Sequence, residues 1–324
     1  MITRRALLGS ALALPFIRPA SAAVSDRLVE AGERLDQLHA LIVHRNGEEV
    51  FSRAFRGPGL DRLANIKSCS KSLVALMLGV AIAEGAVPGV DSTLAEVAPG
   101  LIPATATEGA GDITLGDLAS LRGGLAATSG ADYGAWVSSG NWIRYALTRE
   151  MVAAPGTRMI YSTGATHVLG AALAEATGDS LLTLMRTHLG RPLGIDVPPW
   201  TRDPQGYYMG GNEMALTPRA MLRVAEMMRN GGRHEGAQVI PGDWVARSTE
   251  PLTRSPWSGM SYGYGWFMTD SGYTLARGYG GQMIAWHAER GLSVALTSDP
   301  LRPALSDGYF GDLVDLLDGP LLEV

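Results

Sequence analysis

The stretch "LHALIVHRNGEEVFSRAF" sets two strand-like runs either side of Asn46-Gly47, the dipeptide that most strongly favours a two-residue hairpin turn. An amphipathic segment with helical period precedes it, near residues 24–37. At the other end, "YGYGWFMT", "YTLARGYG", "QMIAWHAE" and "LSVALTSD" are short, β-rich and separated by turns, and a helix follows over 308–318. The middle of the chain has a different texture. "KSLVALMLGVAIAEG" is apolar almost all round, which predicts a helix buried on every side. "ITLGDLASL" opens with a capping box from Thr114 to Asp117, and "GATHVLGAALAEATG", "SLLTLMRTHLG" and "TPRAMLRVAEMMRNGG" read as further helices with glycine stops. Strands at both ends with helices between predict an α+β fold. Its antiparallel sheet is built from both termini, and a mainly helical region is inserted between them. The sheet-bearing part comprises residues 23–67 and 251–324, and the helical part residues 68–250. The sequence shows no internal repeat, low-complexity tract or linker.

Residues 1–22 stand apart. They run from Arg4-Arg5 through a short apolar stretch to Ala20-Ser21-Ala22, the pattern of an export signal with a small-residue cleavage site. The apolar stretch is shorter than the ~20 residues needed to span a bilayer. "TRRALL" is similar to a twin-arginine signal. The expectation is a bacterial protein of the periplasm or extracellular space, with no membrane anchor after cleavage.

Composition narrows the chemistry. With 46% hydrophobic residues and a formal charge of −5, the 324-residue chain can bury a large core. It lacks the basic face that nucleic acid or an anionic membrane would require. One cysteine cannot form an intrachain disulfide. Six histidines without HxxxH or HxH spacing suggest no metal site, and nothing points to a cofactor. The expected partner is a small-molecule or short-peptide-like substrate.

The basic residues number 27, yet only two are lysines, Lys67 and Lys71, and both lie in "NIKSCSKSL". Ser68 and Lys71 are three apart at the start of the apolar helix, so their side chains share a face. A serine hydroxyl is a poor nucleophile unless a neighbour takes its proton. A lysine at the end of an apolar helix can be driven to the neutral form that does so, whereas arginine stays charged. Ser70 and Ser72 have no lysine three residues on. Lys67 reads as a solvated residue ahead of the helix, and Cys69 as packed core.

Two further stretches, "PGTRMIYSTGATHVLG" and "ARGYGGQMIAW", complete a resemblance to the serine β-lactamase and D-Ala-D-Ala-peptidase superfamily. The nearer part of it is the class C-like branch of esterases, carboxypeptidases and amide hydrolases. The motifs fall in order, with S-x-x-K at Ser68–Lys71, Y-x-N as Tyr161-Ser162-Thr163, and K-T-G as Tyr279-Gly280-Gly281. The resemblance covers nearly the whole mature chain. It implies a β-lactamase/transpeptidase-like fold and an acyl-enzyme on Ser68, with Lys71 and the Tyr161 phenol exchanging the proton. It also implies an oxyanion hole from the backbone N–H groups of Ser68 and Gln282, and a strand edge at Gly280 and Gly281 that substrate approaches closely. Asn212 could line the pocket or serve as a turn or cap residue.

Two departures from that pattern matter. Thr163 replaces an asparagine that holds the lysine, and Tyr279 replaces a lysine or histidine that would grip a substrate carboxylate. Both favour esters or amides without that anchor, and "YSTG" is similar to the 6-aminohexanoate-dimer hydrolase group. β-Lactamase or D-alanyl-D-alanine carboxypeptidase activity is the alternative, and a non-catalytic ligand-binding or sensor module on the same fold is the alternative of another class. "GMSYG" matches G-x-S-x-G, but no strand precedes it and no helix follows, so Ser261 reads as a loop residue. His167 and His287 lack an acidic partner at a telling spacing and read as structural. "GADYGAWVSSGNW", with Asp132, Tyr133, Trp136 and Trp142, either walls the pocket or covers the core.

Overall fold

A computed structural model describes residues 20–324. The arginine pair and apolar run of the export-signal reading lie outside the described residues; positions 20–22 begin the first helix, α1 (Ala20–Arg34).

Eight strands form one antiparallel sheet. They are β1 (Leu38–Arg45), β2 (Glu48–Ala54), β3 (Thr253–Arg254), β4 (Ser261–Tyr262), β5 (Phe267–Met268), β6 (Thr274–Gly278), β7 (Gln282–His287) and β8 (Leu292–Ser298). The sheet order is β2-β1-β8-β7-β6-β5-β4-β3. The amino-terminal hairpin therefore joins a carboxy-terminal meander through the β1–β8 pair, in which Leu41 faces Leu296 and Val43 faces Val294. The β1–β2 turn is Asn46-Gly47, both at positive φ (53° and 89°), the left-handed geometry that this dipeptide adopts readily. The sheet is completed by both termini, as the alternating pattern predicts.

Side-chain alternation divides the core. Leu41, Val43, Leu275, Met283 and Val294 face the layer made by α1 and the helix near the carboxyl end. Ile42, Ala276, Ile284 and Ala295 face the helical layer. At the centre of that layer is α2 (Cys69–Ala83), with every residue from Cys69 to Ala81 buried. Gly79 lets α2 pack flush against the Trp244 indole, which an added Cβ would overlap. Beside it run α3 (Thr163–Thr177), ended by Gly178 at φ 75°, and α4 (Pro218–Arg229), opened by a Thr217 cap. The carboxy-terminal helix is α5 (Tyr309–Leu316). The Thr114 cap holds as a half-box: Thr114 Oγ1 accepts from the Asp117 N–H at 3.0 Å, and its own hydroxyl donates to the Asp117 carboxylate.

Candidate active site

Three chain segments meet at the amino end of α2. The first is the turn that carries Ser68. Ile66, fully buried, donates its N–H to the Met214 carbonyl, beside the two-residue ladder of Ala64–Asn65 with Ala215–Leu216. Lys67 then takes φ 51° and turns the chain into α2, leaving Ser68 at the cap position with its hydroxyl part-exposed. Left-handed backbone at a residue with a side chain costs about 1–2 kcal/mol, and such strain gathers at functional sites. Five described residues other than glycine have positive φ. Asn46 and Glu235 occupy hairpin turns. The other three border this site: Lys67, Glu213, and Leu121, whose carbonyl accepts the Ile160 N–H next to Tyr161.

The second segment is the start of α3. Its first amides are capped from outside: Thr163 N–H donates to Ser129 Oγ at 2.9 Å and Gly164 N–H to Thr128 Oγ1 at 2.7 Å. Those bonds fix the direction of Tyr161 and Thr163. The third segment is Gly210-Gly211. A Cβ at Gly211 would crowd the Lys71 amine and Thr163, so glycine is needed for the carbonyl to come this close.

Lys71 is the point of convergence. Its Nζ lies 3.1 Å from Ser68 Oγ, 3.2 Å from Thr163 Oγ1 and 2.7 Å from the Gly211 carbonyl, and 4.9 Å from the Tyr161 ring centroid. The side chain is buried, no carboxylate among the described residues touches it, and desolvation pulls its pKa down to about 7, with Cys69 opposing. An ammonium would donate to all three oxygens. A neutral amine donates to two and offers its lone pair to the Ser68 O–H. Burial pushes the Tyr161 phenol up to about 12, although the Ser68 hydroxyl and the Arg277 guanidinium favour its ionised form. At neutral pH it is a proton donor. The arrangement can therefore take a proton from a serine and hand one to a departing group. Thr163 makes the lysine contact through a hydroxyl, which Ser129 in turn engages at 2.9 Å.

The strand side differs from the sequence expectation. Tyr279, Gly280 and Gly281 do not lie on a strand but form the turn between β6 and β7, with Gly281 N–H donating to the Gly278 carbonyl. Gly280 and Gly281 are glycines for internal reasons. At φ 81° and 93°, their added Cβ atoms would fall on the Asp299 carbonyl and on the Tyr309 and Leu313 side chains. Gln282, expected beside the serine, belongs to the sheet interior. Its amide donates to Ser298 O at 2.8 Å and accepts from Ser298 N–H, and its carbonyl accepts the Cys69 thiol. The backbone that crosses the Ser68 turn is instead Gly278, the last residue of β6, where a Cβ would meet the Ile66 carbonyl and Lys67. The Ser68 and Tyr279 backbone N–H groups have no acceptor among the described residues. Tyr279 is 52% exposed.

Lys67 is not a solvated residue. It is half-buried and ion-paired with Glu213 at 3.1 Å. Asn212 is engaged at both ends, donating to Tyr133 OH at 3.0 Å and accepting from the Glu213 N–H. His167 does have an acidic partner, 36 positions away: it meets Asp203 at 3.0 Å with both side chains buried, while its other nitrogen accepts from Gly210 N–H. The pair supports the glycine segment from behind. Trp136 and Trp142 pack edge-on against His167, and in the same segment, which is two short helices (Tyr133–Val137 and Trp142–Leu147) rather than a loop, Tyr133 reaches the site through Asn212. His287 contacts Ser271 O. Ser261 lies in short β4 rather than in a loop, and no helix follows it.

Sequence reasoning missed Ser129, Glu213, Trp257 and Arg277. Trp257, 64% exposed, stands edge-on to Tyr161 at 6.2 Å. Arg277 lies over the Phe310 ring at 3.5 Å and donates to Ala304 O and Ser306 Oγ, with no carboxylate partner among the described residues. As the one charge in an otherwise uncharged strand it could have been found; Ser129, in a small-residue loop, carries no such signal.

Comparison with known proteins agrees with this fold. A family model described as Beta-lactamase matches residues 33–309. Among solved structures, a Bacillus anthracis protein described provisionally as a 6-aminohexanoate-dimer hydrolase superposes with a TM-score of 0.74 at 17% identity, covering 90% of this chain and 80% of that one. EstCE1, described as a hydrolase with promiscuous acyltransferase activity, gives 0.72 at 18% identity and covers 93% and 98%. A penicillin-binding protein homologue from Caulobacter crescentus gives 0.73 at 18%, covering 92% and 96%. At these identities the likeness is one of fold. No curated protein matches the chain. The family match over most of its length identifies the chain as a member of the β-lactamase family of serine hydrolases.

Proposed function

We propose that the protein cleaves an ester or amide through an acyl-enzyme on Ser68. The observation that carries this reading is the buried Lys71 amine, 3.1 Å from Ser68 Oγ, with its pKa brought down to about 7 and no carboxylate among the described residues to hold its charge. Neutral Lys71 takes the Ser68 proton as Oγ attacks the carbonyl carbon. The Tyr161 phenol, protonated at neutral pH, gives a proton to the leaving oxygen or nitrogen as that bond breaks. Water then attacks the acyl-enzyme with the same groups in reversed roles. The Ser68 N–H at the start of α2 and the Tyr279 N–H after Gly278 are suited to holding the oxyanion. Tyr279 N–H takes the place the sequence reading gave to Gln282.

Incubation with a fluorophosphonate or a short p-nitrophenyl ester, followed by peptide mass mapping, is expected to place the label on Ser68. A label on Ser261, or none, overturns the assignment. The expected product signature is a burst followed by steady turnover.

One observation favours a second reading. Arg277, which favours the ionised form of Tyr161, is a cation without a carboxylate partner among the described residues, and it weakens the argument that Tyr279 leaves the site unable to grip a substrate carboxylate. A β-lactam or a D-alanyl peptide then becomes a candidate. Covalent capture of penicillin supports that reading, and no capture at high concentration removes it.

A further inference from the structure

The chain's second lysine has a role of its own. Glu213 is engaged at both carboxylate oxygens: Lys67 Nζ donates to Oε1 at 3.1 Å and Asn65 Nδ2 to Oε2 at 2.8 Å. Asn65 Oδ1 in turn accepts the Lys67 N–H at 2.9 Å. This closed ring joins the residue immediately before the nucleophile to the residue two positions after Gly211, whose carbonyl holds Lys71. Both ends of the ion pair sit in left-handed backbone, Lys67 at φ 51° and Glu213 at φ 67°. The pair is partly shielded, with side-chain exposures of 16% and 29%. A second strut runs alongside, where Ser70 Oγ donates to the Lys67 carbonyl at 2.6 Å and accepts from Met214 N–H.

We propose that Lys67 and Glu213 are a positioning pair, whose bond holds two unfavourable backbone turns in register and so sets the distance from Ser68 to Lys71. The inference rests on the acyl-enzyme reading above. Neither residue touches the reacting atoms; each acts through a neighbour. Proton transfer depends steeply on the approach of oxygen and nitrogen, so a small relaxation of either turn slows acylation while leaving substrate binding nearly intact.

Lys67→Gly separates positioning from support. Glycine adopts φ 51° without penalty, so the folded state keeps or gains stability while the ion pair is gone. Thermal midpoints, kcat, KM and the rate of fluorophosphonate labelling at Ser68 are measured for the wild type, Lys67→Gly, Glu213→Gln and the exchange Lys67→Glu with Glu213→Lys. The expected result for Lys67→Gly is a midpoint at or above wild type, kcat lower by about tenfold and KM within about twofold. Glu213→Gln falls in the same direction by a smaller factor, because one amide oxygen cannot serve both donors. The exchange recovers about threefold of the lost rate. A Lys67→Gly enzyme with wild-type kcat overturns the proposal, and so does a parallel fall of midpoint and kcat, the result of a purely structural bond. A wild type that takes no label at Ser68 removes the underlying reading along with it. A labelled wild type with equally fast Lys67→Gly labelling removes the pair alone.

Discussion

The two walls of the site are built on different principles. On the helix side, Ser68, Lys71, Tyr161 and Thr163 present side chains, held at fixed spacing around the amino ends of α2 and α3. On the strand side, Gly278 and Tyr279 present backbone, and the neighbouring side chains serve the sheet and its turn. A side-chain wall is written in residue identity and can be read from sequence. A backbone wall is written in where a strand ends, and that depends on the partner strand.

Substitution can test this contrast, and the helix wall should dominate. Ser68→Ala is expected to abolish labelling and turnover. Lys71→Met should lower kcat/KM by roughly a thousandfold while stabilising the fold near pH 6. The native pKa of Lys71 lies below that of the unfolded chain, so the unfolded state binds the extra proton between about pH 7 and the usual lysine range. Stability therefore rises with pH through that window, and below it the full penalty of the buried cation remains. Removing the amine removes the penalty, which denaturant melts at pH 6 and pH 9 would detect as a gain that is larger at the lower pH. The same titration predicts a kcat/KM that climbs through about pH 7 in the wild type. Tyr161→Phe comes next, with a loss of roughly a hundredfold in kcat and a folded near-ultraviolet spectrum.

On the strand wall, Gly278→Ala forces a methyl onto the Ile66 carbonyl and should reduce kcat about tenfold or more, followed by steady-state assay. Gln282→Ala should do something different in kind. It leaves Ser298 groups unpaired inside the sheet and is expected to cost about 1–3 kcal/mol of stability in a denaturant melt. Its KM should stay unchanged at a temperature where the variant is folded. Smallest of all is Tyr279→Ala, within about 0.5 kcal/mol in stability, because only the backbone of this exposed residue is called on. A Tyr279→Ala enzyme with kcat as low as Gly278→Ala would collapse the distinction between the walls.

That contrast also explains what could be read in advance. The all-round apolar α2, the i, i+3 pair at its start and the terminal strands were legible because periodicity and burial agree there. The glycine pair after Tyr279 was not, since glycine suits a substrate-facing edge and a tight turn alike, and only the packing of Asp299 and Tyr309 decides between them. The partners of Lys67 and His167 were hidden by separation, 146 and 36 positions away. No local pattern encodes a bond that the tertiary fold must first bring together.

Cys69 offers a practical consequence. Its thiol sits one residue beyond Ser68, wholly buried, donating to the Gln282 carbonyl, and burial pushes its pKa far above the usual thiol range. Alkylating reagents need the thiolate, so the intact protein should resist them for as long as α2 stays docked on β7. The rate at which this single thiol becomes modified then serves as a clock for opening of the helix that carries Lys71, with no engineered probe required.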